Sequence, residues 1–188
     1  MKVVFPIEER CIDCHLCEVA CIVEHSETKD PILAYMVEGL SFNEEWSAFT
    51  PDPHEALEAG KPKPLNRTRV RNNGAGVSFS MMCRHCEEPK CVEACKNGSL
   101  YIAEDGRILL NEDKCVGCWM CIMACPWGAI SRNPTRGNVK GLERTAISHK
   151  CDLCPDREIP ACVMACPTEA LIYIEKEEIK NYEVRFSR

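Results

Sequence analysis

The sequence predicts an α+β fold of short strands and short helices, arranged as two small modules with an inserted cap segment and little hydrocarbon core. Three observations lead there. Sixteen of the 188 residues are cysteine, against 5 Phe, 3 Trp and 4 Tyr, so the chain is organised around something other than a large apolar interior. The cysteines fall into four groups of four with none left over. The apolar runs that flank these groups are short, alternate with acidic turns and read as strands of hairpins.

Taken in chain order, KVVFPIEER supplies a strand over 3–5. The N-terminal stretch has no apolar h-region or cleavage site, so the expectation is a cytoplasmic protein with reduced thiols. The first quartet is Cys11, Cys14, Cys17 and Cys21, with gaps of two, two and three. Residues 22–82 are too long for a plain connector; PDPHEALEAGKPKP reads as a turn, a short helix from His54 to Ala59 and an extended arm. Trp46 and Phe49 are expected to cover the metal sites, with docking to a partner as the alternative. The second quartet, Cys83, Cys86, Cys91 and Cys95, widens the middle gap to four. A hairpin follows: apolar SLYIA, a turn at Glu104-Asp105-Gly106, then RILL. The third quartet is Cys115, Cys118, Cys121 and Cys125, and the fourth is Cys151, Cys154, Cys162 and Cys166 with a middle gap of seven. A strand over 171–174 and the charged tail EKEEIKNYEVRFSR close the chain. CEVAC, CVEAC, CIMAC and CVMAC suit short helices, which Pro126 and Pro167 end; Ile22 and Lys96 break that pattern.

Two residues between cysteines let a tight loop turn both sulfurs toward one metal centre. C-x2-C-x2-C-x3-C-P is the bacterial ferredoxin run, in which the fourth cysteine ligates the other cluster of a two-cluster module. Quartets therefore pair. The hairpin joins quartets two and three; the flanks of quartets one and four repeat the same pattern, so strand 171–174 is expected to pair with strand 3–5. The expected ligand sets for four [4Fe–4S] clusters are Cys83, Cys86, Cys91 with Cys125; Cys115, Cys118, Cys121 with Cys95; Cys11, Cys14, Cys17 with Cys166; and Cys151, Cys154, Cys162 with Cys21. The expected domains are an outer ferredoxin-like module of 1–21 plus 146–188, an insertion and linker at 22–78, and an inner module at 79–145. Zinc is the competitor, since C-x2-C pairs also build structural zinc sites, but zinc knuckles usually stand a dozen or more residues apart.

A net charge of −6 argues against nucleic acid as the partner. No run of eighteen apolar residues predicts a membrane span, and no Ser–His–Asp set, G-x-G-x-x-G loop or phosphate loop is present. With four thiolates per cluster no iron is left open to a substrate, so the expectation is a carrier of electrons without a catalytic site. His15, His25, His54, His85 and His149 are expected at the surface or behind the ligands. Arg84, His85 and Lys150 sit where a positive group would raise a cluster's potential or meet an acidic partner, though solvated charge is the simpler expectation. Trp119 and Trp127 flank the third quartet as shields or as plain packing.

The stretches CRHCEEPKCVEAC, KCVGCWMCIMACPWGAI and KCDLCPDREIPACVMACPTEAL, with the first quartet, resemble the four-cluster polyferredoxins that serve as electron-transfer subunits. CHLCEVACIVEHSETKD (Cys14 to Asp30) is similar more specifically to the electron-transfer protein partnered with nickel–iron carbon monoxide dehydrogenase. The resemblance implies electrons passing from carbon monoxide oxidation to a hydrogenase or a flavin NAD(P) oxidoreductase. The alternative partners it implies are a tungsten or molybdenum aldehyde oxidoreductase, a formate dehydrogenase or a hydrogenase. Outside this class stands a zinc-stapled interaction scaffold. Lys96 departs from the family, many members of which have Pro there, and segment 41–66 carries no motif that names a partner.

Overall fold

The computed structural model describes residues 1–34, 65–74, 76–139 and 141–179. The helix read at 54–59, Trp46, Phe49, His54 and the end of the tail lie outside them. Among the described residues, four two-stranded antiparallel sheets and five short helices connect the cysteine loops.

β1 (Lys2–Pro6) pairs with β8 (Leu171–Glu175), in register from Lys2↔Glu175 to Pro6↔Leu171. The two ends of the chain are thus joined, as the repeated flanks suggest. Val3 and Val4 are both buried, at 1% and 0% exposure, so β1 has no free face. The Met1 ammonium meets Glu175 at 2.8 Å, and the Ile7 N–H donates to the Ala170 carbonyl at 2.7 Å just past the last rung.

α1 (Leu16–Glu24) runs on past Cys21, while the helices of the other quartets, α3 (Lys90–Glu93), α4 (Met120–Ala124) and α5 (Ala161–Met164), hold only four or five residues. For α4 and α5 the difference follows from the residue after the last cysteine, while α3 stops as early with Lys96 in that place. Pro126 and Pro167 cannot continue a helix, whereas Ile22 can, and it is fully buried. The one-turn α2 (Pro31–Leu33) follows, capped by the Asp30 carboxylate, which accepts from the N–H groups of Ile32 and Leu33 at 2.9 Å.

β2 (Arg69–Asn72) and β3 (Ser78–Met81) form a hairpin that leads into the second quartet. The buried Glu18 carboxylate on α1 accepts from the Val70 N–H and ties this hairpin to the first quartet. β4 (Leu100–Ile102) and β5 (Ile108–Leu110) form the expected hairpin between quartets two and three. Its turn closes with the Gly106 N–H on the Ala103 carbonyl at 2.9 Å, and Gly106 takes φ +84° there. Leu100 and Ile108 bury their side chains with Cys121 and Ile130.

The longest hairpin has no counterpart in the sequence reading. β6 (Ser131–Val139) and β7 (Leu142–His149) turn at Gly141 (φ +81°), with a register shift between Pro134 and Gly137. Position 145/146, where the sequence divides inner from outer module, falls inside β7.

Candidate metal centre

All four cysteine loops share one backbone feature. The residue just before the second cysteine is left-handed in each: Asp13 (φ 59°), His85 (φ 45°), Gly117 (φ 69°) and Leu153 (φ 65°). Three of these are not glycine and bear roughly 1–2 kcal/mol of strain apiece. Such a residue turns successive N–H groups to one side of the loop, the nest geometry that attracts anions. The Leu153 N–H donates to Cys151 Sγ at 3.4 Å, and the His85 N–H lowers Cys83 in the same way. After three of the quartets a second left-handed residue, Gly98, Gly128 or Glu169, turns the chain, each donating its N–H to the carbonyl of the last cysteine three residues back.

The sulfurs converge across quartets. Cys11, Cys14, Cys17 and Cys166 line one apolar cavity, closed by Ile7, Val70 and Leu171. Cys83, Cys86, Cys91 and Cys125 line a second, closed by Ile108, Ala129 and Ile130. Cys121 lies within electrostatic reach of Cys115 and Cys95, and Cys162 within reach of Cys151, Cys21 and Cys154. All sixteen thiols are free of disulfides. Cys14 and Cys118 are exposed, while eight of the sixteen are buried.

Burial pushes Cys17 up to about 12 and Cys91 and Cys154 up to about 11. It raises Cys83, Cys121, Cys151 and Cys162 as well. A buried thiol of this kind ionises when a metal takes it. Cys95 goes the other way: burial opposes ionisation, but the Ser99 hydroxyl at 3.0 Å and nearby N–H groups lower it. Three of the four last cysteines receive backbone donors, from Arg67 to Cys21 (3.2 Å), Leu100 to Cys95 (3.4 Å) and Ala170 to Cys166 (3.2 Å). Apolar walls, converging thiols and N–H donors fit an anionic thiolate cluster.

The remaining candidates sort by contact. His15 is half exposed and pairs with Glu18 at 3.2 Å. His25 donates to the Cys21 carbonyl at 2.6 Å and meets Asp152 at 3.1 Å, which raises it to about 9 against the opposing effect of burial. Asp152 is further held by Arg67 at 2.7 Å. Burial, then Lys150 and Lys176, pushes His85 down to about 3, so its ring is neutral and its Nδ1 accepts from the Ile108 N–H at 2.9 Å. His149 is buried and likewise held well below its usual range. Arg84 lies between the rings of Phe5 and Trp127, 5.3 and 5.2 Å from their centroids, and Trp119 stacks under Arg132 at 4.5 Å. Trp127 is half exposed, so it does not seal its site. Sequence reasoning missed Ser99, Ser148, Arg67 and Asp152. Ser99 and Ser148 each stand three residues or fewer from a cysteine or strand end, and no residue-type signal separates them from ordinary turn serines.

Residues 75–176 match a 4Fe-4S dicluster domain family, and residues 10–99 match a second family of the same description. The chain belongs to the 4Fe-4S dicluster ferredoxins. Iron–sulfur, not structural zinc, is therefore the class of its cofactor. Electron transport protein HydN of Escherichia coli (strain K12) is 33% identical over 179 residues, covering 92% of this chain and 87% of that one. A Rhodospirillum rubrum protein named iron-sulfur protein is 32% identical over 180 residues, covering 92% and 82%. One of the chains of the Escherichia coli (strain K12) anaerobic dimethyl sulfoxide reductase is 31% identical over 176 residues, covering 92% and 72%. Among the described residues of this dicluster protein, no helix is long and apolar enough to cross a membrane.

Proposed function

We propose that this protein carries electrons, one at a time, through four [4Fe–4S] clusters held by the crossed cysteine sets. The observation that supports it most directly is the pair of cavities each lined by three cysteines of one quartet and the last cysteine of another. The proposed modules are the outer one, 1–21 with 146–188, and the inner one, 79–145, with 22–78 inserted between them. When bound, the clusters supply one-electron chemistry without making or breaking bonds in a substrate. The chain's own residues hold the thiolates, exclude water and donate N–H groups to sulfur.

The neighbourhoods of the thiols support an order. Cys17 bears on Cys162, and Cys83 bears on Cys151; Cys91, Cys95, Cys121 and Cys125 share one packed cluster of side chains. The relay then runs from the Cys11 set through the Cys151 set and the Cys83 set to the Cys115 set. Its two ends are the sets that contain the exposed Cys14 and Cys118.

The partner is a redox enzyme in the cytoplasm. Carbon monoxide dehydrogenase is the reading the Cys14–Asp30 stretch supports, with a hydrogenase or flavin oxidoreductase as acceptor. The name of the dimethyl sulfoxide reductase relative supports the second reading, an iron–sulfur subunit of a molybdenum or tungsten oxidoreductase, formate dehydrogenase or hydrogenase. Anaerobically purified protein with catalytic carbon monoxide dehydrogenase should bleach on addition of carbon monoxide, and stay coloured without the enzyme. Bleaching by dithionite alone moves the partner to the second reading, and a colourless protein prepared with iron and sulfide overturns the clusters.

A further inference from the structure

Lys150 is buried at 3% exposure, directly before Cys151. Its ammonium donates to the Ile108 carbonyl on β5 and to the Cys151 carbonyl at 2.6 Å, so it bridges the inner hairpin and the fourth cysteine loop. Among the described residues it forms no ion pair. The nearest acid along the chain, Asp152, is engaged by Arg67 and His25. Lys176 nearby also donates to a carbonyl, that of His85. An ammonium taken out of water and left with two carbonyls is costly unless an opposite charge stands near.

The thiols around Lys150 supply the missing charge. Ile108, whose carbonyl takes one of the Lys150 hydrogen bonds, closes the cavity lined by Cys83, Cys86, Cys91 and Cys125, and the other bond falls on the carbonyl of Cys151 itself. Cys83 and Cys91 belong to one proposed cluster and Cys151 to its neighbour in the other module. Four thiolates outweigh the positive charge of the iron–sulfide core, so each cluster is an anion, and each becomes more negative by one electron on reduction with no bond changed.

Building on the four-cluster reading, we propose that Lys150 is the shared counter-cation of the two middle clusters of the relay, those of the Cys83 and Cys151 sets. Its buried charge raises both potentials together relative to the clusters at the two ends of the relay. It is a positioning residue for charge and touches no substrate.

The test is a potentiometric titration of the holoprotein followed by EPR, in wild type, Lys150→Met, Lys150→Arg and Lys114→Met. Lys114 also directly precedes a cysteine, Cys115, but is exposed. Iron and sulfide are counted first. A wild type short of four clusters overturns the four-cluster reading and this proposal with it. With four clusters present, Lys150→Met is expected to disfavour reduction of two of them about tenfold each, about 59 mV for a one-electron couple. The other two stay in place, Lys150→Arg resembles wild type, and Lys114→Met moves nothing comparable. An unshifted Lys150→Met, a shift of all four potentials, or an equal shift in Lys114→Met overturns the proposal. If Lys150→Met fails to assemble, Lys150→Arg decides: assembly with unshifted potentials supports the role of charge, and failure of both assigns Lys150 to structure alone and overturns it.

Discussion

The crossing of cysteines between quartets makes a prediction that iron counting can refute. Cys95 and Cys121 are distant in sequence but lie within reach of one another, while Cys91, four residues from Cys95, lines the other cavity with Cys83, Cys86 and Cys125. Four intact clusters hold about 16 irons. Replacing Cys95 and Cys121 by Ala removes two ligands from one crossed site, and the protein should hold about 12 irons in three unaltered clusters. Replacing Cys91 and Cys95 by Ala removes one ligand from each of two sites. Iron should then fall to about 8, or two three-iron clusters should remain and give their own oxidised-state EPR signal. Each variant is reconstituted without oxygen, desalted, and assayed for iron, acid-labile sulfide and EPR. If quartets instead bound metal as uncrossed units, the two variants would exchange behaviour: the neighbouring pair would cost one cluster and the distant pair would damage two. That exchange would refute the ligand sets and with them the relay order.

Other expected outcomes rest on single contacts. A Cβ at Gly117 would lie 2.7 Å from the Ala146 carbonyl, at φ +69°, whereas one at Gly98, φ +62°, meets nothing within 4 Å. Gly98→Ala should therefore cost only the left-handed strain of about 1–2 kcal/mol. Gly117→Ala should add about 1–3 kcal/mol of overpacking and lose iron from one cluster, and equal thermal stability and iron content in the two variants would refute the clash. The hydroxyls of Ser99 and Ser148 each lie 3.0 Å from a thiol of the same proposed set, Cys95 and Cys121. Removing either donor, worth about 0.5–1.5 kcal/mol, should lower one cluster potential by roughly 20–60 mV in a redox titration and leave the others unmoved.

Much of this architecture is legible because its signals are local. Spacing alone marks the cysteine loops, the β4–β5 hairpin carries its turn at Gly106, and the repeated flanks point to the pairing of β1 with β8. β6–β7 is not legible, because SRNPTRGNV carries Pro134, Gly137 and mostly basic or polar positions in place of an apolar alternation. Its buried positions, Asn133, Val139, Ile147, Ser148 and His149, do not spell an apolar alternation. The shared left-handed residue is hidden for a different reason: Gly117 announces it, but Asp13, His85 and Leu153 adopt it against their own preference. Lys150 reads as solvated charge by residue type, and its burial on the Ile108 and Cys151 carbonyls shows only in the structure.

The crossing also bears on why the ends of the chain meet at all. β1 and β8 make a five-rung, two-stranded sheet, which is marginal alone, and closing the loop between Pro6 and Leu171 costs on the order of 4–5 kcal/mol in chain entropy. The packed cluster beneath that sheet contains Cys17, Cys83, Cys151 and Cys162 among few large apolar side chains. In the proposed arrangement Cys166, just before β8, joins Cys11, Cys14 and Cys17, just after β1, so metal binding supplies the closure that the strands cannot. Cys17 and Cys162 share one packed group of side chains, so in that arrangement the first two clusters of the proposed relay would be neighbours. Folding of the outer module and continuity of the electron path thus depend on one set of bonds. Loss of the Cys11-set cluster should open the β1–β8 sheet and cut the relay at its exposed end, while the inner module, with its own hairpin between Cys95 and Cys115, keeps its fold.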